Sequence, residues 1–149
     1  MSRWLLHPRL TLLFRLILGV TFVLAALPKL ADPPSLAKAI WAYQLVPALV
    51  LNPMALVLPW LELVCGLALL AGIWVRAAAL WVGALLLAFS LALAVNLAQH
   101  RPIAGGCFGA AGPRTEVERL TDMRRDLLRD LGLLLLVAQV LAATAPRKP

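Results

Sequence analysis

The sequence predicts an all-α integral membrane protein, in which a single membrane domain forms a bundle of four transmembrane helices. Of the 149 residues, 62% are hydrophobic and 14% are charged, and the mean hydropathy is +0.90. Soluble domains are far more polar. A helix needs about 20 apolar residues to cross about 30 Å of hydrocarbon. Four runs approach or reach that length, at about residues 10–30, 53–74, 77–98 and 127–145.

The first of these runs is predicted to be a retained helix. Lys29 and the following Asp32-Pro33-Pro34 do not form the small-residue cleavage site of a secretory signal peptide. Four spans in a chain of this length leave no room for a separate soluble domain. Function must therefore lie in the bundle or its loops.

A short helix is predicted between the first two spans. Asp32-Pro33-Pro34-Ser35 indicates a break followed by an N-cap, and the helix would run from Ser35 to about Pro47. Trp41 and Tyr43 suit the headgroup boundary, which favours an interfacial helix. Such a helix serves either as a simple anchor or as a lid over the other connecting loop.

The last helix is predicted to begin near Thr115 and to be longer than its membrane span. Thr115 and Glu118 have the spacing of a capping box. The turns that follow carry many charges of both signs, so this amphipathic extension belongs in water or headgroups. It is either a solvated helix end or a surface that docks a partner.

The formal charge of +7 favours lipid headgroups, and not nucleic acid, as the counter-charge. The basic residues flank apolar runs and do not form an aromatic-interleaved patch. The sequence has no dinucleotide fingerprint, phosphate loop or compact set of metal ligands. We therefore expect no metal and no tightly bound cofactor.

Polar residues inside the predicted spans are costly in hydrocarbon and are candidates for a site; they are Arg15, Glu62, Asn96 and Gln139. Glu62 could pair with Arg15 or with Lys29. A protonated Glu62 could instead relay a proton or donate a hydrogen bond to a quinone carbonyl. The sequence leaves both interpretations open.

One cysteine of the two lies in the segment Gly105-Gly106-Cys107-Phe108-Gly109, between the third and fourth predicted spans. The glycines remove side-chain bulk, so a partner protein or a cofactor could approach the sulfur. Basic residues on both sides of the segment would favour a thiolate. We expect Cys107 to be a functional thiol.

The other cysteine, Cys65, follows Glu62 by three residues, so the two share one face of a helix. A buried cysteine is most often an inert small hydrophobe. A disulfide between Cys65 and Cys107 would need their Cα atoms within about 7 Å of each other. Sequence alone does not decide this.

Taken in order along the chain, several short motifs resemble those of the methylamine utilisation protein MauE family, within the wider DoxX-like set of small four-helix membrane proteins. They are Leu27-Pro28-Lys29-Leu30 with Asp32-Pro33, Ala39-Ile40 through Tyr43 to Pro47, Leu58-Pro59-Trp60-Leu61-Glu62-Leu63 with Gly66, Asn96, Cys107-Phe108-Gly109, and Arg129-Asp130-Leu131. The resemblance implies an inner-membrane bundle that works beside thioredoxin-like proteins to form disulfides while an exported enzyme matures.

The chain departs from that family's pattern at one position. The family loop usually reads Cys-Gly-Cys-Phe-Gly, and Gly105 stands where its first cysteine would be. Disulfide exchange would then require Cys107 to pair with Cys65, with a partner's cysteine or with a substrate. Enzyme status is therefore open.

Three hypotheses follow from these observations. In the first, Cys107 exchanges with a thioredoxin-like partner, Cys65 resolves the bond, Glu62 tunes protonation and a quinone accepts the electrons. In the second, the protein is a non-enzymatic scaffold for a partner or an exported-enzyme subunit. In the third, Arg15 and Glu62 bind a quinone or another small molecule.

The predicted location is a bacterial-type inner membrane, with cytoplasmic termini and a periplasmic Cys107 loop. The count of basic residues alone favours the reverse orientation. Disulfides, however, persist in the periplasm and not in the cytosol. Oligomeric assembly is compatible with the sequence.

Overall fold

The computed structural model describes residues 7–100 and 115–145. This part of the chain consists of helices joined by short turns and contains no strand. The helices are α1 (Pro8–Ala31), α2 (Pro33–Ala42), α3 (Ala48–Ala71), α4 (Val75–Ala98) and α5 (Glu116–Thr144). α1, α3 and α4 are long and apolar enough to cross a membrane. The segment that carries Cys107, with Gly105, Gly106, Phe108 and Gly109, lies outside the described residues.

Helices α3 and α4 differ at their ends from the second and third predicted spans. α3 begins at Ala48 and continues through Pro53 and Pro59, because prolines are tolerated in helices whose neighbours satisfy the freed backbone groups. α3 ends at Ala71, since Gly72 adopts a left-handed conformation with φ of 76° and caps the helix. The helix thus ends three residues before residue 74, the approximate end of the predicted span.

The short helix α2 is shifted from its predicted bounds. Asp32, not Ser35, is the N-cap: its carboxylate accepts a hydrogen bond of 3.2 Å from the Ser35 backbone N–H. The hydrogen bonds from Ser35 lower the pKa of the exposed Asp32 carboxyl. The two prolines suit the first helical turn. The helix ends at Ala42, well before Pro47, and Gln44 then adopts a positive φ of 54°.

The predicted start of the last helix is confirmed. The Thr115 hydroxyl accepts a hydrogen bond from the Glu118 backbone N–H at 3.3 Å. The Glu118 carboxylate accepts one from the Thr115 backbone N–H at 2.9 Å. This reciprocal capping box satisfies two backbone donors at the start of α5.

The four long helices form a ring. α1 packs on α3, α3 on α4, α4 on α5, and α5 returns to α1, while α2 packs mainly on α3. The centre of the ring is filled by apolar side chains from all four helices. The outer faces carry exposed leucines, including Leu24, Leu91 and Leu135. A bundle with apolar side chains both inside and outside is suited to a bilayer.

The backbones of α1 and α3 approach closely where two glycines meet. A Cβ atom placed on Gly19 would lie 2.9 Å from the Gly66 carbonyl oxygen, and one on Gly66 would lie 3.0 Å from the Gly19 carbonyl oxygen. Small residues permit this kind of contact between membrane helices. Gly19, Phe22, Ala26 and Lys29 recur at helical spacing along α1 and are all buried.

We predict that Gly19→Ala destabilises the bundle by about 1–3 kcal/mol, because the added methyl overpacks a contact made by backbone. Thermal unfolding in detergent measures the effect. Gly132→Ala is the matched control, since a Cβ there meets nothing within 4 Å. Equal midpoints for the two variants would contradict the close contact.

Candidate functional site

A buried ion pair joins α1 to α3. The Lys29 ammonium donates to both carboxylate oxygens of Glu62, each at 2.7 Å. The Lys29 side chain is 8% exposed and that of Glu62 is 2% exposed. The sequence left Arg15 and Lys29 as candidate partners of Glu62, and in the structure the partner is Lys29. Both carboxylate oxygens accept from one cation, so the pair is compact and neutral as a whole.

Two further helices complete the surroundings of this pair. The ring of Phe89, from α4, lies with its centroid 5.3 Å from Lys29 Nζ, which is a cation–π distance. Asp130, from α5, is 3% exposed and accepts a hydrogen bond from Arg129 Nη2 at 3.3 Å. Arg129 also contacts Asp126 at 3.2 Å. Charged groups from three helices thus meet in the interior.

A small cavity lies between these charged groups, with a volume of about 20 Å³. All four long helices line it; the lining residues are Thr21, Phe22, Ala25, Glu62, Leu86, Phe89, Arg129, Asp130 and Leu133. Binding sites in helix bundles are commonly built in this position, from side chains of facing helices. The space fits one or two water molecules.

Cys65 lies in the main apolar core and is 5% exposed. It is a free thiol. Cys65 and Glu62 are both buried on one face of α3, as the spacing predicted. The Glu62 carboxylate is bound to Lys29. Since Cys107 lies outside the described residues, its pairing with Cys65 stays a prediction.

The structure does not bring Arg15 and Glu62 together. Arg15 extends over Gly72 at the end of α3, where a Cβ on Gly72 would lie 3.1 Å from Arg15 Nη1. Glu62 is ten positions earlier on the same helix, about 15 Å along its axis. Quinone binding by either residue stays a prediction.

Asn96 and Gln139, the two uncharged polar candidates, each form hydrogen bonds that link two elements of the bundle. The Asn96 side-chain amide donates to the backbone carbonyls of Ala92, at 3.0 Å, and of Tyr43, at 3.4 Å. It thereby ties α4 to the turn that follows α2. The Gln139 amide donates to the Thr11 hydroxyl at 3.0 Å, which ties α5 to α1.

Sequence reasoning missed Asp130 as a member of the site. It assigned the charges of this stretch to a solvated face, because Asp130 follows several exposed charged residues. A signal was present in the sequence, because apolar residues follow Asp130 at helical spacing. They are Leu133, Val137 and Val140, and in the structure they are buried together with Asp130. The predicted absence of a metal site is untested, although the described residues contain no group of three or more side chains able to hold a metal ion.

We predict that Lys29→Met destabilises the bundle by about 3–5 kcal/mol, because it leaves the Glu62 carboxylate buried without its cation. The double variant Lys29→Met with Glu62→Met should recover most of the loss, since neither charge remains. Unfolding midpoints in detergent measure both. Lys38→Met, at an exposed position of α2, is the control and should change little. A double variant as unstable as the single one would contradict this account.

Comparison with known proteins places this bundle in a family. The model of the family "Methylamine utilisation protein MauE" matches residues 7–144. The chain is 35% identical over 131 residues to methylamine utilization protein MauE of Methylophilus methylotrophus, covering 85% of this chain and 64% of that protein. It is 33% identical over 147 residues to MauE of Paracoccus denitrificans, covering 98% and 77%.

A third relative, MauE of Methylorubrum extorquens, is 35% identical over 105 residues, which are 70% of this chain and 56% of that protein. The chain thus spans less than two thirds of the Methylophilus and Methylorubrum relatives. No solved structure matches it. The family match covers every described helix, and the chain belongs to the methylamine utilisation protein MauE family.

Proposed function

We propose that this chain is a multi-pass membrane accessory protein of methylamine utilisation that supports the maturation of an exported enzyme. The observation that carries the proposal is that the polar and thiol groups inside the bundle are engaged in packing between helices. Its central carboxylate is paired with Lys29, and its cysteine is enclosed by apolar side chains. Such an interior holds helices together. The chemistry is then left to the segment that joins α4 to α5 and to partner proteins.

The finer membrane arrangement we propose has four spans, the fourth formed by the second half of α5. Leu128, Leu131 and Leu135 are exposed along one face of α5, and Arg124 precedes them in the same register. A basic residue that is followed, on the same outward face, by apolar side chains suits a helix that enters the hydrocarbon from the headgroup layer. The opposite face of α5 packs on α4 and α1.

We further propose that α2 lies at the membrane surface. Its inner side packs Leu36 and Ile40 against Ala55 of α3. Trp41, on the outer side, is 46% exposed. An indole there combines an apolar ring with a polar N–H, which suits the headgroup boundary. In the proposed orientation, the termini are cytoplasmic and the Cys107 segment faces the periplasm of a bacterial-type inner membrane.

Within this role, we propose thiol–disulfide exchange at Cys107 with a thioredoxin-like partner. The Cys107 thiolate attacks a partner disulfide, a mixed disulfide forms, and the partner's second sulfur leaves as a thiolate. A thiolate of a substrate then attacks the partner's sulfur in the mixed disulfide, a disulfide between substrate and partner forms, and Cys107 leaves as a thiolate. Sulfur–sulfur bonds are exchanged one for one, so the step needs no added oxidant. The burial of Cys65 favours a resolving thiol from another protein.

A scaffold without thiol chemistry is the second candidate. It is favoured by the start of α5, where charged side chains such as Glu116, Arg124 and Arg125 are exposed. A partner could dock on this extension. The two candidates differ in what they require of Cys107, since a scaffold needs no sulfur there.

We predict that both termini lie on the same side of the membrane, because four spans return the chain to the side where it began. In the proposed orientation this is the cytoplasmic side. Topology reporters fused separately to the amino and carboxyl ends measure this. Three spans, formed by α1, α3 and α4 alone, would put the two ends on opposite sides. That result would contradict a membrane-spanning α5.

We predict that Cys107→Ser abolishes maturation of the exported enzyme, to about the level seen without the protein, because the exchanging sulfur is lost. Maturation is measured as disulfide-bonded, active enzyme per cell. Cys65→Ser is the matched control and should retain most of the activity. Full activity in Cys107→Ser would instead support the scaffold.

A further inference from the structure

Arg15 is a cation in a helix long and apolar enough to span a membrane, and residues 7–100 and 115–145 contain no counter-ion for it. Its Nε atom is buried and makes no hydrogen bond, and none of the ion pairs in that part of the chain includes it. The guanidinium packs over the exposed backbone of Gly72, with Nη1 3.1 Å from the place of a Cβ there. A charge in this position is costly unless an anion accompanies it.

The seven acidic side chains of the protein lie away from this guanidinium. On α3, Glu62 is ten positions before Gly72, about 15 Å along the helix axis. Asp130 lines the same interior cavity as Glu62, and the other five lie farther toward the opposite end of the bundle, on α5 or at the end of α1. The end that carries Arg15 therefore presents basic side chains without acidic ones; in the described residues they are Arg9, Arg15 and Arg76.

Arg15 lies at the edge of a recess in this end of the bundle. Gly19 and Gly66 mark one height, because their backbones meet there. Gly19 is eleven residues from the start of α1, about 16 Å, whereas Gly66 is five residues from the end of α3, about 8 Å. α5 also continues for five residues past Gln139, which bonds Thr11 of α1. The α3–α4 turn therefore forms the floor of the recess, below the ends of α1 and α5.

The floor of the recess adds donors for an anion. α4 begins at Val75, three residues after Gly72, and its N-cap Trp74 makes no side-chain cap hydrogen bond. The first N–H groups of a helix have no partner within the helix, and its N-terminus carries a partial positive charge. Arg76 is exposed in the first turn of α4 and adds a second guanidinium. Guanidinium groups bind phosphate oxygens in a bidentate manner.

The other side chains of the recess favour a lipid headgroup over a free phosphate ion. Trp74 is 83% exposed, which suits an aromatic residue at the headgroup boundary. Ile73 and Leu12 are exposed beside it, so acyl chains would have apolar neighbours. The described part of this end offers no carboxylate to the ammonium of a zwitterionic headgroup. The recess therefore suits a lipid whose headgroup is anionic as a whole.

We propose that the recess formed by Arg15, Gly72, Trp74 and Arg76 binds the headgroup of one anionic phospholipid, whose phosphate accepts hydrogen bonds from the Arg15 guanidinium and from the start of α4. The lipid supplies the counter-charge that the chain lacks there and links α1 to the α3–α4 turn. This inference goes beyond the proposed function and does not depend on it. It holds for either orientation of the bundle in the membrane.

Lipid binding to the full chain in detergent tests the proposal. Phosphatidylglycerol and phosphatidylcholine with identical acyl chains are titrated separately, and one-to-one adducts are measured by native mass spectrometry. We expect phosphatidylglycerol to bind about tenfold more tightly, because only its headgroup leaves no ammonium unpaired. Equal affinities would overturn the proposal. Displacement of the lipid by an equal concentration of inorganic phosphate would also overturn it, since the recess would then bind the free ion.

Charge-removing variants give the matched comparison. Arg15→Gln should weaken phosphatidylglycerol binding about tenfold, because the phosphate loses a charged donor. Arg124→Gln removes the same charge from an exposed position near the start of α5, at the opposite end of the bundle, and should leave the affinity unchanged. Unchanged affinity in a folded Arg15→Gln protein, or an equal loss in Arg124→Gln, would overturn the proposal.

Arg76→Gln keeps the test decisive where Arg15→Gln does not fold. Arg76 is exposed, so its replacement leaves the packing of the bundle intact. This variant should bind phosphatidylglycerol several-fold more weakly than Arg124→Gln does. Equal affinities in these two variants would overturn the proposal.

Discussion

The Lys29–Glu62 pair is the interaction on which the arrangement of the bundle depends. Lipid tails are as apolar as leucine, so the hydrophobic effect does not choose which faces of two membrane helices meet. A buried charge makes that choice, because a face that turned Glu62 toward lipid would expose a carboxylate to hydrocarbon. Lys29 is the cation that meets it at 2.7 Å. The pair therefore fixes the mutual rotation of α1 and α3.

A second constraint acts along the same interface. Gly19 and Gly66 bring the two backbones into contact, and Gly19 is ten residues from Lys29, about 15 Å along α1. Two contacts at different heights determine both rotation and register. A slip of one residue would rotate a helix by about 100° and would disrupt both contacts. The other long helices complete a ring around an interface that is already defined.

The features that the sequence predicted correctly are mostly local ones. The capping box of Thr115 and Glu118 depends on residues three apart, and so does the shared buried face of Glu62 and Cys65. Errors arose where tertiary packing decides. Hydropathy alone does not show that α3 starts at Ala48, ahead of Pro53, or that Asp130 turns inward beside charged neighbours that face outward. The choice between Arg15 and Lys29 for Glu62 likewise depends on how α1 lies against α3.

The pairing of Glu62 also bears on where chemistry can occur. Both oxygens of the Glu62 carboxylate accept from the Lys29 ammonium at 2.7 Å, so this contact occupies the carboxylate. The Cys65 thiol is buried on the same face of α3 as Glu62. That thiol is itself enclosed by the core. Within the described bundle, Glu62 and Cys65 therefore contribute to the packing between helices, and this is the physical reason why the proposed thiol exchange is assigned to Cys107.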